Sequence, residues 1–320
     1  MKLEEIGFYT LSDKRAKTAS ETSKMQRCEL IVTDKCNFHC PYCRGLRPDC
    51  EGDMPKDRAL FVLRQWILDG LQNVRFSGGE PTLYPHLLDL VAYCSSVNRI
   101  AISTNGSAEL STYKELMERG VNDFSISLDS CCASMGESMM GKCGYFDIVT
   151  GNIEYLSKHT YVTVGTVLTN QNIGFVDDII LFAHDLGVAD IRIIPAAQET
   201  LTVSAFELPI IKNHPILQYR MNRLKTNQPF RGLCDTDCHT CHLLKDDSVV
   251  AGNYHFPCVI YLREGGDPIG EVSHNMRHER IEWIKRTDTH KDEICKNNCL
   301  DVCVDYNNRV IEMRSQLDEV

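Results

Sequence analysis

Between residue 28 and about residue 195, short β-rich runs alternate with segments of helical period. There are six runs, Glu29 to Thr33, Val74 to Ser77, Arg99 to Thr104, Asp123 to Leu128, Tyr161 to Leu168 and Asp190 to Ile194. Between them Ala59, Leu63, Trp66 and Ile67 share one helical face, as do Leu110, Tyr113 and Met117, and later Val176, Ile179, Ile180 and Ala183. Such stripes are core-facing. Alternating β and α segments build a parallel sheet, and six units stop short of the eight that close a TIM barrel. The expected fold class is α/β, a partial (β/α)6 TIM-like barrel, with a small cysteine-rich C-terminal domain after it.

In parallel α/β folds, ligands lie at the carboxyl ends of the strands. Directly after the first run comes Cys36-Asn37-Phe38-His39-Cys40-Pro41-Tyr42-Cys43. Three thiolates hold three irons of a [4Fe-4S] cube and leave the fourth open, whereas a cluster that only carries electrons usually takes four cysteines. An open iron can bind a substrate or cosubstrate. A zinc site or a set of buried thiols is the plainer reading of the loop alone. The second run leads into Ser77-Gly78-Gly79-Glu80-Pro81-Thr82, where two glycines let backbone approach a ligand. The third ends in Ser103-Thr104-Asn105-Gly106 and the fourth in Ser127-Leu128-Asp129-Ser130. Their short hydroxyl, amide and carboxylate groups suit ribose hydroxyls and an amino-acid carboxylate, although Asn105-Gly106 alone reads as a turn. The fifth and sixth runs end at Leu168-Thr169-Asn170 and Ile194-Pro195.

The CxxxCxxC spacing, with Tyr42 before the last cysteine and Gly78-Gly79-Glu80-Pro81 downstream, resembles the radical S-adenosylmethionine (SAM) family over most of the chain. The resemblance implies that Cys36, Cys40 and Cys43 hold a [4Fe-4S] cluster whose open iron is chelated by SAM. One electron then cleaves SAM to a 5'-deoxyadenosyl radical that takes hydrogen from a substrate carbon. It further implies SAM contacts at Tyr42, at Gly78, Gly79, Glu80 and Pro81, at Thr104, Asn105, Ser127 and Asp129, and adenine or ribose contacts at Asn170 and Ile194. No catalytic residue is assigned. The cofactor supplies the difficult chemistry, and the protein holds it and excludes water. A flavodoxin- or ferredoxin-type donor is the implied electron source.

Cys234-Asp235-Thr236-Asp237-Cys238-His239-Thr240-Cys241 repeats the same spacing and is followed by Cys258, Cys295, Cys299 and Cys303. This tail is similar to the SPASM or Twitch auxiliary-cluster extensions of that family, and partly to the GTP cyclase of molybdopterin synthesis. One or two auxiliary [4Fe-4S] clusters are implied. One cluster could use Cys241, Cys258 and two of the last three cysteines, or two could share all seven. A zinc-ribbon-like staple is the plain alternative. His239, His242 and His255 are read as exposed bystanders, Cys28, Cys50, Cys94 and Cys143 as buried small hydrophobes or bystanders, and Cys131 and Cys132 receive no role.

The domain reading is an extension over 1–27, a core over 28–200, a connecting segment over 201–232 punctuated by Pro209, Pro215 and Pro229, and a cysteine-rich auxiliary-cluster domain over 233–320. With 320 residues, 43% of them hydrophobic, the chain can bury a large core. A net charge of −10 without a long basic cluster argues against nucleic acid as a partner. No stretch has signal-peptide or membrane-span length, so the expected location is cytoplasmic, away from membranes. There, the clustered members of sixteen cysteines bind metal rather than pair. The functional expectation is a radical SAM oxidoreductase or modifying enzyme acting on a ribosomal peptide or a small metabolite. The alternative is a non-catalytic zinc or iron-sulfur metalloprotein, either an electron carrier or a binding module. GTP cyclisation is disfavoured, because that group has a glycine-rich tail and this chain ends Gln316-Leu317-Asp318-Glu319-Val320.

Overall fold

The computed structural model describes residues 12–318, with side chains to Ser315. Residues 1–11 of the expected extension, and Glu319 and Val320 at the end of the tail, lie outside this range. All six expected runs are strands: β1 Arg27–Thr33, β2 Asn73–Gly78, β3 Arg99–Thr104, β4 Asp123–Ser127, β5 Tyr161–Leu168 and β6 Asp190–Pro195. Three more, β7 Asp247–Ala251, β8 Tyr254–Phe256 and β9 Gly270–Glu271, form in the cysteine-rich tail.

The chain divides into two compact units. One gathers the segment ending at Val32, Gly45–Arg75 and Arg231–Val320, and the other gathers Thr33–Arg44 and Phe76–Phe230. The second unit carries the βα repeats. Its strands β3, β4, β5 and β6 are neighbours and all parallel, in the registers Ala101↔Asp123, Asp123↔Tyr161 and Thr163↔Asp190. β6 ends the sheet, so the sheet stays open. Phe124, Ile126, Val162, Val164, Ile191 and Ile193 are all fully buried, because helices must cover a parallel sheet on its faces. Each such side chain contributes roughly 1.5–3 kcal/mol relative to exposure. Ile179, Ile180 and Ala183 of the helix Val176–Asp185 pack inward as expected. In the helix Leu110–Glu118, Leu116 rather than Met117 joins Tyr113 in the core. Residues three and four apart share a helix face, so the true phase differs from the expected one by a single residue.

In the first unit β1 pairs in parallel with β7, and β7, β8 and β9 continue as antiparallel neighbours. Ile31, Cys50, Val249, Ala251, Phe256 and Leu262 form one core cluster. A second contains Ala16, Ala19, Leu243, Tyr306 and Val310, with Cys241 and Cys303 packed against it. The buried Arg15 forks onto Asp246 through Nε (3.1 Å) and a terminal nitrogen (2.6 Å), and Arg27 meets Glu29 and Asp247. Cys28, Cys50 and Cys94 are buried and Cys143 is exposed. Among the described residues, no helix is long and apolar enough to cross a membrane.

Candidate functional site

The three-cysteine loop leaves β1 and is pinned within the second unit from several sides. The His39 amide donates to Met140 O (2.9 Å) and the Cys43 amide to Cys40 O (3.0 Å). Asn37 Nδ2 donates to Ser107 Oγ (2.9 Å) and Asn105 Nδ2 to Asn37 Oδ1 (2.8 Å). Phe38 packs edge-on to Tyr145 with ring centroids 5.3 Å apart. Cys36 and Cys43 remain exposed and Cys40 is half-buried. Asn105 Nδ2 also points at Cys36 Sγ, 3.8 Å away. Burial pushes the Cys40 thiol up to about 11 and raises that of Cys36. A metal must therefore displace protons as it binds.

Next to this loop the chain passes through Gly78 and Gly79. The Gly79 amide donates to Thr33 O (2.8 Å) and the Glu80 amide to Lys35 O (2.7 Å). A Cβ at Gly78, whose φ is +153°, would stand 2.2 Å from Thr33 O, and one at Gly79 would stand 2.4 Å from Asp34 O and Lys35 O. Only glycine lets the two strand-end loops lie so close. Glu80 is fully buried behind this wall. Its carboxylate accepts from the Thr82 amide (3.0 Å), Thr82 Oγ1 (2.7 Å), Thr104 Oγ1 (2.8 Å) and the Asn105 amide (2.7 Å). Four donors saturate it, so Glu80 acts as the knot between the β2 and β3 ends. Burial raises its pKa while these bonds oppose the rise.

At the end of β4, the Tyr42 hydroxyl donates to Asp129, which also accepts from the Val167 amide (2.6 Å). Burial raises Asp129 to about 6 against the pull of both bonds. Asn172, fully buried, donates to Asp129 O (3.0 Å) and Val167 O (2.9 Å) and holds the β4 and β5 ends together. Asn152 does the same for the turn after β3, donating to Gly106 O (2.8 Å) and Ala108 O (2.9 Å).

These ends surround one cavity of about 260 Å³. Of the expected residues, Cys36, Cys40, Cys43, Tyr42, Gly78, Gly79, Thr104, Asn105, Ser127, Asp129 and Ile194 line it. Glu80 and Pro81 lie behind the wall, and Asn170 stands exposed, its amide donating to Glu199 (2.6 Å). Sequence reasoning passed over Arg192, which also lines the cavity. Ser127, Gly165 and Arg192 occupy one cross-strand row, and a Cβ at Gly165 would come 3.3 Å from the guanidinium. The missing side chain makes room for it, a signal visible only once the register is known.

The tail cysteines belong to the first unit. Cys303 lies close enough to Cys241 and Cys258 to disfavour their ionisation and hydrogen-bonds with Cys299, and Cys241 and Cys258 act on Cys295 and Cys299 in the same direction. With burial, this pushes Cys258 up to about 12. Cys238 responds instead to Lys245, Arg314 and Asp237, and Cys234 is exposed. Five thiols thus gather and two stand apart. Among the described residues, no group of three or more Cys, His, Asp or Glu converges on a single-ion site. The buried Tyr306, whose cluster packs against Cys241 and Cys303, has a hydroxyl with no hydrogen-bond partner. The donor set fits an occupant that binds thiolates and accepts hydrogen bonds, as a sulfide-containing cluster does. The expectation of exposed histidines fails for His242 and His255, which are 4% and 0% exposed. The His242 amide donates to Asn307 (2.8 Å), and His255 of β8 pairs with Glu279 (2.8 Å) of the helix Met276–Arg286. His239 stays at the surface against His290 and Asp288.

Fold and rim define a class of protein, an open parallel α/β sheet whose strand ends carry a three-thiol loop over a polar cleft. The chain matches the radical SAM superfamily over residues 30–183. It is 32% identical over 131 residues to a GTP 3',8-cyclase of Pasteurella multocida, covering 38% of each chain. It is also 35% identical over 106 residues to the Helicobacter pylori (strain HPAG1) enzyme of that name, covering 31% of this chain and 33% of the relative. The chain thus spans under half the length of the curated relatives it matches. Among solved structures it is similar to native anSMEcpe with bound AdoMet and Cp18Cys peptide, with a TM-score of 0.57 and 17% identity over 92% of this chain and 96% of that one. It is also similar to Streptococcus suis SuiB bound to its precursor peptide SuiA, with a TM-score of 0.58 and 15% identity over 77% and 62%. At those identities the likeness is one of fold.

Proposed function

We propose that this chain is a SAM-cleaving enzyme that removes hydrogen from a carbon of a peptide substrate. The observation that carries the reading is one cavity ringed by the thiol loop and by the ends of β2, β3 and β4. A reduced [4Fe-4S] cluster with SAM supplies one-electron chemistry able to attack an unactivated carbon. Cys36, Cys40 and Cys43 would hold the cluster. The Gly78-Gly79 backbone would meet the amino group of SAM, Thr104, Asn105 and Ser127 would serve its polar groups, and Tyr42 and Ile194 would flank its base. Asp129 orients the Tyr42 hydroxyl and so sets the ring that closes the cleft.

Among the described lining residues Arg192 is the one cation. A lining with a single cation suits a triphosphate poorly, which favours a peptide over a nucleotide substrate. Peptides bound to anSMEcpe and SuiB are consistent with this choice. The gathered Cys241, Cys258, Cys295, Cys299 and Cys303 would hold one auxiliary cluster, a flavodoxin or ferredoxin would deliver electrons, and free thiols at all sixteen cysteines suit a reducing, cytoplasmic setting.

The test is anaerobic reconstitution, reduction with dithionite and quantification of 5'-deoxyadenosine. Wild type should form it and Cys40→Ala should not. Iron-loaded wild type that forms none, or a variant with undiminished turnover, would refute the reading.

A further inference from the structure

Arg280, on the helix Met276–Arg286, has its guanidinium 1% exposed. It donates through Nε to Leu244 O (3.3 Å), through one terminal nitrogen to Phe256 O (2.9 Å) and through the other to Asp247 O. Leu244 lies three residues after Cys241, and Phe256 lies two before Cys258. One side chain therefore ties together the two backbone segments that carry these thiols. Its charge has no carboxylate within ion-pair distance among the described residues: Asp246 is taken by Arg15, and Asp247 lies nearer Arg27 and Arg15. A guanidinium buried among carbonyl dipoles alone is costly. The nearby groups able to become anions are Cys241, Cys258 and Cys28, together with Asp247, and metal ligation is what turns thiols into thiolates.

We propose that Arg280 is a positioning residue of the auxiliary cluster. It clamps the Cys241 and Cys258 segments and supplies the buried counter-charge of the iron-bound thiolates. The proposal rests on reading those cysteines as cluster ligands. Reduction adds an electron to an already anionic buried site, so a neighbouring cation stabilises the reduced form and raises the reduction potential.

The test uses the full chain with Cys36→Ala, Cys40→Ala and Cys43→Ala, reconstituted anaerobically so that only the tail can hold iron. Absence of iron, sulfide and any reduced-cluster EPR signal sinks the ligand assignment and the proposal with it. With a signal present, an EPR-monitored redox titration compares Arg280→Gln and Arg280→Lys with the parent. The Gln variant should titrate at a more negative potential and lose iron to a chelator several-fold faster. The Lys variant, which keeps the charge and loses the three-carbonyl fork, should retain most of the potential while also losing iron faster. A folded, loaded Gln variant with the parent's potential overturns the proposal and leaves the cluster reading intact. If the Gln variant does not fold, pulsed EPR of parent protein labelled with 15N at arginine replaces it. A guanidinium coupling that disappears in Arg280→Lys is expected, and no arginine coupling at all overturns the proposal.

Discussion

At Gly79 a substitution requires the backbone itself to shift, since a Cβ would meet carbonyl oxygens at 2.4 Å. The missing Cβ would overlap two carbonyl oxygens of the cluster loop, and neither can rotate away as a side-chain tip could. Gly79→Ala should cost at least about 1–3 kcal/mol, as overpacked sites do, seen as a lower thermal midpoint and weaker SAM binding by calorimetry. An unchanged midpoint would mean that the loop is free to move. Glu80 carries a different lesson. Its chemistry and its place after a double glycine make it legible as a ligand contact, yet its four bonds to Thr82, Thr104 and Asn105 depend on how β2 and β3 end side by side. Asp129 has a pH signature. Its folded value of about 6 exceeds the ordinary 3.8, so its contribution to stability is whole below 3.8 and is lost as pH rises through 6. Metal-free wild type should therefore lose stability relative to Asp129→Asn between pH 4 and pH 7, measured by urea midpoints. A constant difference would contradict the burial argument.

Among the elements, the strands of the second unit were the most legible, because their apolar residues recur at every second position, as Phe124 and Ile126, Val162 and Val164, and Ile191 and Ile193 do. The helical phase was less so: Leu116 and Met117 are both apolar, and only the surface beneath them selects one. Strands β7 to β9 were missed because they are five, three and two residues long, shorter than a period-two pattern needs to stand out among cysteines and turn residues. What ties strand ends together is also an element-scale matter. Asn172→Ala deletes two buried bonds to the β4 and β5 ends and the cap it offers the Thr169 amide (2.8 Å). Unsatisfied buried groups cost about 1–3 kcal/mol, so that variant should lose a comparable amount and show faster hydrogen exchange at the Thr169 amide, which loses its acceptor. Exchange unchanged there would argue against the clamp.

For the whole molecule, the decisive fact is that seven tail cysteines sort into five and two. If the gathered five hold iron, Cys241→Ser and Cys258→Ser should each lower the iron content of the reconstituted chain, while Cys234→Ser should leave it unchanged. Equal losses at all three positions would restore the two-cluster alternative. Because binding free energy at a thiolate site is folding free energy, stripping iron anaerobically should also lower the thermal midpoint by several degrees, an effect reduced in a variant lacking Cys241 and Cys258.

Local pattern alone carried the superfamily reading: six strand runs, a three-cysteine loop after the first and a double glycine after the second are all short-range in sequence. Side-chain period and motif spacing are properties of consecutive residues, so they need no knowledge of partners. Contacts between residues far apart in the chain were decided by tertiary structure. It turned Glu80 away from the cleft, brought Arg192 into it across Gly165, buried His242 and His255, and set Arg280 between the segments of Cys241 and Cys258. Each outcome depends on strand register and helix packing, where a shift of one residue moves a side chain from one face to the other.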